Sequence, residues 1–402
     1  MAENTGQSPE TAAETEKEGH KHNSYMVDIA SDRIYNNQNE DYHAAFTRWR
    51  NTGTNKLGYR FVHDRREHTY VDGGGFADKQ AVTAEINSLH GCLQFLSMLM
   101  MMYFAFEQFF FMFMKTRYDH VFINRTYYSL RSMSYSVSSE QMYVYCLVRI
   151  ALLIFPIIVM LKIVRLPAQV AIPRMKLDRR LVFYGFSVAL MLFVCFRFFD
   201  YMLTYMLQSI NIDVTFYTYI QTDTEQAQIC YFICELIIVP VLTEVFFRGC
   251  ILQLFRQFGD NYAIFISSLA AALCYRDITK ILYVFTLGIA LGVFTIRNGS
   301  LIPAIVTNLF FTNITLLLNT LAKEKFLIRN RLTEISVCLV MLCVSFLLLI
   351  FMRIHFDNPF KLVRDGTELS FQQKVRQLLN SSWTVIWLIC MLLSTILSVT
   401  FI

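Results

Sequence analysis

Residues 240–249 read Pro240-Val-Leu-Thr-Glu244-Val-Phe-Phe-Arg248-Gly249 and place one acidic and one basic side chain inside a long apolar segment. The surrounding residues, from about 226 to 255, form one continuous hydrophobic stretch. A charged side chain near the centre of a bilayer costs about 2.5–3.5 kcal/mol on insertion scales, so charges at this depth usually have a role. Glu244 and Arg248 are four residues apart and share one helix face, where they can pair. The segment therefore predicts a membrane-embedded helix that carries a functional site.

The composition places the chain among membrane proteins. Of its 402 residues, 55% are hydrophobic and only 17% are charged, whereas a typical soluble domain is about 25% charged. Repeated apolar runs predict an all-α polytopic membrane protein, a bundle of about eight or nine transmembrane helices. The predicted spans are 91–114, 141–163, 181–207, 226–255, 262–275, 281–296, 300–321, 335–354 and 382–402. The net charge of +5 is too small to indicate nucleic acid, so the expected partner of the surface is the lipid bilayer.

The loops suggest an orientation. The connection between the second and third spans is rich in Lys and Arg, whereas the next loop, about 208–225, has neither and carries Asp and Glu. Cytoplasmic loops carry an excess of Lys and Arg, so the first connection is expected in the cytoplasm, together with the N-terminus. The later loops are basic on both sides of one span, and the sequence leaves the topology of the C-terminal half open. The basic residues are Lys162, Arg165, Arg174, Lys176, Arg179 and Arg180.

Four parts follow from this pattern. Residues 1–88 form a hydrophilic N-terminal tail or small module, 89–225 the N-terminal transmembrane helices, 226–320 a core, and 321–402 the C-terminal transmembrane helices. We predict no metal and no cofactor, because none of the eight histidines lies between residues 121 and 354 and no His-Glu-x-x-His motif is present. The ten cysteines lie in or beside apolar segments and are expected to act as small hydrophobic residues.

Further charges fall inside the predicted spans. Arg197 and Asp200 are three residues apart and are expected either to neutralise each other or to line the same polar cavity as Glu244. Glu235 lies nine residues before Glu244, about half a turn away in phase, so we expect it to face a different neighbour. Glu107 and Arg149 are also intramembrane charges, on the first and second spans.

Three landmarks resemble the CPBP family of membrane proteases, the CAAX proteases and bacteriocin-processing enzymes. The run from Pro240 to Gly249 is similar to the first family motif, Glu-Glu-x-x-x-Arg between Pro and Gly. Ser267-Ser268-Leu269 resembles the helix start before the second motif, Phe-x-x-x-His. The turn from Gly299 to Ala304, Gly-Ser-Leu-Ile-Pro-Ala, resembles the one that precedes the third motif, His-x-x-x-Asn. The resemblance covers about residues 226–320 and implies a CAAX-protease-like core.

The chain departs from the family at the positions that carry chemistry. Where the resemblance implies a general-base Glu and two oxyanion-binding His, this sequence has Thr243, Tyr275 and Asn308. Thr312 stands where the motif has Asn, and Asn313 is one residue further on. A Thr hydroxyl is not a general base near neutral pH, whereas Tyr and Asn can still donate hydrogen bonds to an oxyanion.

Three functions stay open from the sequence. The first is a catalytically degenerate CPBP homologue, a pseudoprotease, that binds a membrane-associated or lipidated peptide or a partner protein. The second is an active but altered endopeptidase, a hydrolase that uses Glu244 as base, Arg248 to orient it, and Tyr275 and Asn308 as oxyanion donors. The third is a transporter or membrane assembly factor. The resemblance implies an integral protein of a bacterial plasma membrane with a polar cavity open toward the cytoplasm, lined by those four residues.

Overall fold

The computed structural model describes the helical part of the chain and short adjoining segments. The described residues are 26–28, 38–53, 55–60, 62–64, 79–117, 136–210, 212–213, 221–276, 278, 280–323, 327–355, 362, 367–397 and 400–401. Within them the protein is all-α, and the predicted fold class is confirmed. The rest of the predicted N-terminal tail lies outside the described residues.

Helices account for every predicted span. They are α1 (Glu40–Asn51), α2 (Lys79–Arg117), α3 (Ser139–Ile163), α4 (Ala168–Ala171), α5 (Arg179–Ser209), α6 (Glu225–Phe258), α7 (Asp260–Tyr275), α8 (Ile281–Asn298), α9 (Ile302–Lys323), α10 (Leu327–His355), α11 (Phe371–Asn380) and α12 (Ser382–Leu397). The strands are two or three residues long and pair as β1 (Met26–Asp28) with β2 (Val62–Asp64), β3 (Ser136–Val137) with β5 (Gln221–Thr222), and β4 (Ile212–Asp213) with β6 (Thr400–Phe401).

Fewer helices than predicted can cross a membrane alone. Among the described residues, six helices (α2, α3, α5, α6, α8 and α10) are long and apolar enough, and α11 with α12 form a seventh candidate that is bent by 81°. The predicted span 262–275 corresponds to α7, which has only 16 residues and a length of about 24 Å, less than the roughly 30 Å of a hydrocarbon core. The apolar part of α9, Ile302–Leu318, is also short. The prediction of eight or nine spans counted these two short apolar runs, of which the first is visibly short in the sequence.

Helix α6 is interrupted around the segment from Pro240 to Gly249. It passes through π-helical turns at Cys234–Ile238 and Val245–Ile251. Between them, Pro240 has no amide hydrogen to donate, and its ring prevents an undisturbed α-helical ladder. Single π-turns inside α-helices often occur at functional sites. The second one carries Arg248 and Gly249, and a Cβ at position 249 would lie 2.5 Å from the carbonyl oxygen of Ala171 in α4.

The turn between α8 and α9 is tied to the basic connection before α5. Gly299 closes α8 with a left-handed φ of 61°, a conformation that glycine adopts without steric cost. Its carbonyl accepts the amide of Met175 at 3.1 Å, and the amide of Leu301 donates to the carbonyl of Pro173 at 3.3 Å. These bonds hold the start of α9 in place and therefore determine how far along the bundle each residue of α9 lies.

The N-terminal module packs on the C-terminal end of α6. On α1, the Tyr42 hydroxyl donates to Gln253 Oε1 at 2.6 Å, and the Trp49 indole donates to the carbonyl of Val164 at 3.0 Å. The amide of Tyr59 donates to Gln257 Oε1 at 2.8 Å. The described part of the hydrophilic region thus includes a helix that is docked on the transmembrane bundle.

Candidate functional site

The Glu244–Arg248 pair forms as the spacing predicts. Arg248 Nη1 lies 3.1 Å from Glu244 Oε1, one helical turn earlier on α6. Glu244 is 1% exposed and Arg248 is 4% exposed, so both charges are withdrawn from solvent. A buried carboxylate retains its charge only when a cation and further donors compensate for lost hydration. The arginine provides the cation.

Asn308 provides the second donor to Glu244. Its Nδ2 lies 2.9 Å from Glu244 Oε1, and 3.4 Å from the hydroxyl oxygen of Thr243. It reaches this position because α9 starts at the fixed Gly299 turn and runs back along α6. Residues 64 positions apart in the chain are therefore joined in one polar group, as the order of the motifs predicts.

Thr243 is engaged with its own helix. Its hydroxyl donates to the carbonyl of Pro240 at 2.9 Å. Threonine hydroxyls inside helices commonly donate to a backbone carbonyl one turn earlier in this way. The side chain that stands at the family's general-base position therefore already has a hydrogen-bond partner.

These residues line a cavity of about 290 Å³ inside the bundle. Thr243, Glu244, Arg248, Tyr275, Asn308 and Thr312 all contribute to its wall, so the structure brings the predicted site residues together. Tyr275, at the end of α7, is 39% exposed and marks the rim. Asn313 lies outside the cavity wall and donates instead to the carbonyl of Leu236 at 3.2 Å, which links α9 to α6.

The packing around Arg248 requires a glycine on α8. A Cβ at Gly288 would lie 3.0 Å from Arg248 Nη2 and 3.0 Å from the Ser268 side chain. Three buried polar atoms here, Glu244 Oε2, Arg248 Nε and Ser268 Oγ, have no hydrogen-bond partner within the described part of the chain. Buried polar atoms are nearly always paired in proteins, and Glu244 and Arg248 line the cavity, so their two atoms identify the part of the cavity with capacity to bind a polar ligand.

A second charged cluster, formed by Glu107, Arg149, Glu235 and Arg276, lines the same cavity. Arg149 lies 3.6 Å from Glu107 and 3.5 Å from Glu235, and Arg276 is paired with Glu107. The Tyr145 hydroxyl donates to Glu235 Oε1 at 2.8 Å. Four helices meet in this network, which the sequence did not reveal because its members are up to 169 positions apart.

The expectation for Glu235 is confirmed. It does have a different partner from Glu244, namely Arg149, but it lines the same cavity. A cavity surrounded by several helices is wide enough to reach residues from more than one face of α6. Arg197 and Asp200 also line it, as expected if they share the polar cavity of Glu244. The Arg197 guanidinium lies 5.2 Å from the centre of the Tyr201 ring.

The cavity extends along much of the bundle. The Gly299 end of α8 is bonded to the basic connection at residues 173–175, and Arg276 and Lys280, before the opposite end of α8, line the cavity. Arg248 also lines it, and the neighbouring Gly249 lies against Ala171 in the basic connection. That the cavity opens toward the cytoplasm stays a prediction.

Within the described residues, no group of three or more His, Cys, Asp and Glu side chains is placed to hold a metal ion. The ten cysteines all belong to the described residues and are free thiols. The polar side chains of the cavity wall carry carboxylate, guanidinium, ammonium, amide, thiol and hydroxyl groups.

Fold and cavity together define a polytopic helical membrane protein with a buried polar site. Residues 225–314 match the family model of the Rce1-like proteins, described as type II CAAX prenyl endopeptidase Rce1-like. Over this segment the chain is similar to the CAAX-protease family, and the resemblance predicted from the sequence is confirmed. Comparison of the chain with curated proteins and with solved structures yields no match.

Proposed function

We propose that this protein is a pseudoprotease that binds a membrane-associated or lipidated peptide in its cavity without hydrolysing it. The observation that carries the proposal is the residue at the position of the family's general base. The resemblance implies a Glu there, but the residue is Thr243, whose hydroxyl donates to the Pro240 carbonyl. A hydroxyl of this kind does not take a proton from water near neutral pH.

The remaining carboxylate is better arranged for binding than for catalysis. Glu244 Oε1 accepts from both Arg248 and Asn308, so this oxygen already has two donors in the folded protein. Glu244 Oε2 is buried without a partner in the described residues, and it can accept one amide hydrogen from a bound peptide. The apolar part of the wall, with Leu287 and Phe311 among its residues, suits the side chains of a membrane peptide.

The alternative is an altered but active endopeptidase. One observation favours it: Glu244 and Asn308 are adjacent in a buried cavity, as a base and an oxyanion donor must be. In that case Glu244 would activate water, and Arg248 would orient the Glu244 carboxylate. Tyr275 and Asn308 would stabilise the oxyanion. Asn308, however, already donates one of its two amide hydrogens to Glu244, which leaves only the second for an oxyanion. A transporter has less support, because the intramembrane charges are paired with one another.

The test is peptide binding by the full-length protein in nanodiscs. A library of membrane-associated peptides, with and without a lipid chain, is incubated with the wild type, and retained and cleaved peptides are identified by mass spectrometry. Thr315→Trp fills the cavity, and Val306→Trp is the matched control, because Val306 is on the same helix, is 54% exposed and does not line the cavity.

The proposal predicts that intact peptides are retained by the wild type and by Val306→Trp but not by Thr315→Trp. Cleavage by the wild type that is lost in Glu244→Gln would establish the alternative. Equal retention by all forms would mean that the cavity is not the binding site, and would overturn the proposal.

A further inference from the structure

A second cavity, of about 760 Å³, lies between the N-terminal module and the end of α3. Its wall includes residues of α1, the following loop, α2, and the connection from Ile163 to Gln169. It does not share lining residues with the cavity that contains Glu244. Its volume is within the range of about 300–1,000 Å³ that is usual for small-molecule sites.

One side of this cavity is strongly basic. Arg48, Lys56 and Arg165 line it and are exposed, and none of its lining residues is Asp or Glu. Within the described part of the chain, the three side chains make no hydrogen bond or ion pair. Three cations around one concave surface repel each other, and a bound anion would relieve that repulsion.

The backbone at Arg165 supports a specific role for this side chain. Arg165 has a φ of 57°, in the left-handed region that residues with a side chain seldom adopt. Strained conformations of this kind persist where the surrounding structure enforces them, and they are frequent at ligand sites. Here the bond between the Trp49 indole and the carbonyl of Val164, at 3.0 Å, holds the residue immediately before the strained position.

The other side of the cavity is apolar and belongs to the membrane spans. Phe95 comes from α2, and Ile163, which ends α3, is 72% exposed. Trp49 also lines the cavity, and indole rings are enriched at membrane interfaces. The cavity is therefore amphipathic and lies at the end of a span, where phospholipid head groups meet acyl chains.

We propose that this cavity binds an anionic phospholipid. Arg48, Lys56 and Arg165 contact the phosphate and head group, and an acyl chain lies along Phe95 and Ile163. Basic pockets between transmembrane helices recognise anionic head groups in this way. A soluble anion would use the cations but gain nothing from the apolar side, so the combination favours a lipid. The bound lipid would join the N-terminal module to the membrane.

The experiment is native mass spectrometry of the full-length protein in detergent, titrated with phosphatidylglycerol or phosphatidylcholine. The test variant is Arg48→Gln/Lys56→Gln/Arg165→Asn, in which Asn is chosen because it tolerates the left-handed region. The matched control is Lys176→Gln/Arg179→Gln/Arg180→Gln, which removes three exposed cations beside the same connection that do not line the cavity. Lys56→Gln alone provides a mild variant that perturbs no helix.

We expect one tightly bound phosphatidylglycerol on the wild type and on the control variant, and weaker binding of phosphatidylcholine. The test variant should lose about 100-fold in phosphatidylglycerol affinity, and Lys56→Gln about fivefold, because each cation near an anionic lipid contributes about a factor of five. If the test and control variants lost equal affinity for phosphatidylglycerol, the loss would reflect only the total charge of the protein, and the proposal would be overturned. Displacement of phosphatidylglycerol by inorganic phosphate alone would also overturn it, because the acyl chain would then have no role.

Discussion

Removing the cation of the buried pair, in Arg248→Met, is the most informative perturbation of the site. The substitution keeps an unbranched side chain of moderate size but leaves the Glu244 carboxylate at 1% exposure without its 3.1 Å partner. Breaking a buried ion pair from one side costs about 3–5 kcal/mol, because the remaining charge is uncompensated. The hydrogen bond from Asn308 remains, so we expect a loss near the lower limit, about 3 kcal/mol.

The assay is unfolding of the purified protein by titration with a denaturing detergent, which yields the free energy of unfolding. The control is the double variant Glu244→Gln/Arg248→Met, in which neither member of the pair is charged. Replacing both partners of a buried pair is often close to neutral, so the double variant should recover most of the lost stability. The two single variants and the double variant form a complete cycle for the interaction.

Two results would refute this reasoning. One is a loss below about 1 kcal/mol in Arg248→Met, which is the range of exposed pairs. The other is a double variant whose loss equals the sum of the two single losses, because residues in contact should not be additive. Either result would mean that Glu244 is hydrated or neutral in the folded protein.

Three further predictions concern the surroundings of the site. Asn308→Leu removes the 2.9 Å donor to Glu244 and should lower the free energy of unfolding by about 1.5–3 kcal/mol, measured by the same titration. Gly249→Ala places a Cβ 2.5 Å from the Ala171 carbonyl oxygen and should cost about 1–3 kcal/mol, seen as a lower thermal midpoint. Burial, with the nearby cation of α6, lowers the pKa of His43 below 6.5, so thermal stability should be full above about pH 6.5 and fall as the pH decreases through it.

Each of these has a matched control. Asn313→Leu removes an exposed amide that bonds only backbone carbonyls and should cost clearly less than the change at Asn308. Gly91→Ala meets only one atom, at 3.9 Å, and should stabilise its helix by about 0.5–1 kcal/mol. His43→Gln should flatten the pH dependence between about pH 5 and 8. Equal effects in a variant and its control, or an unchanged slope in His43→Gln, would contradict the corresponding explanation.

The sequence was sufficient for the fold class and for the pairing in the first motif, because apolar length and helical spacing are local properties. Glu244 and Arg248 are one helical turn apart, so their contact needed no knowledge of the tertiary structure. Asn308 could be placed beside them only through the family resemblance. The order of the three landmarks implied that α9 packs against α6. The family match over residues 225–314 agrees with that inference.

Other features depend on tertiary contacts that no local pattern encodes. The network of Glu107, Arg149, Glu235 and Arg276 forms where four helices meet, and each member alone resembles an isolated intramembrane charge. The docking of α1 through Tyr42 and Trp49 depends on side chains that also occur in unstructured tails.

The central claim is that the cavity binds a peptide and does not hydrolyse it. The most direct measurement is incubation of the wild type and Glu244→Gln in nanodiscs with the peptide library in ¹⁸O-labelled water, followed by mass spectrometry of peptide C-termini. Hydrolysis places one oxygen of the attacking water in each new carboxylate. A pseudoprotease should produce no more labelled termini as the wild type than as Glu244→Gln, while intact peptides remain bound. Labelled termini that arise with the wild type and vanish in Glu244→Gln would contradict it and assign an active peptidase.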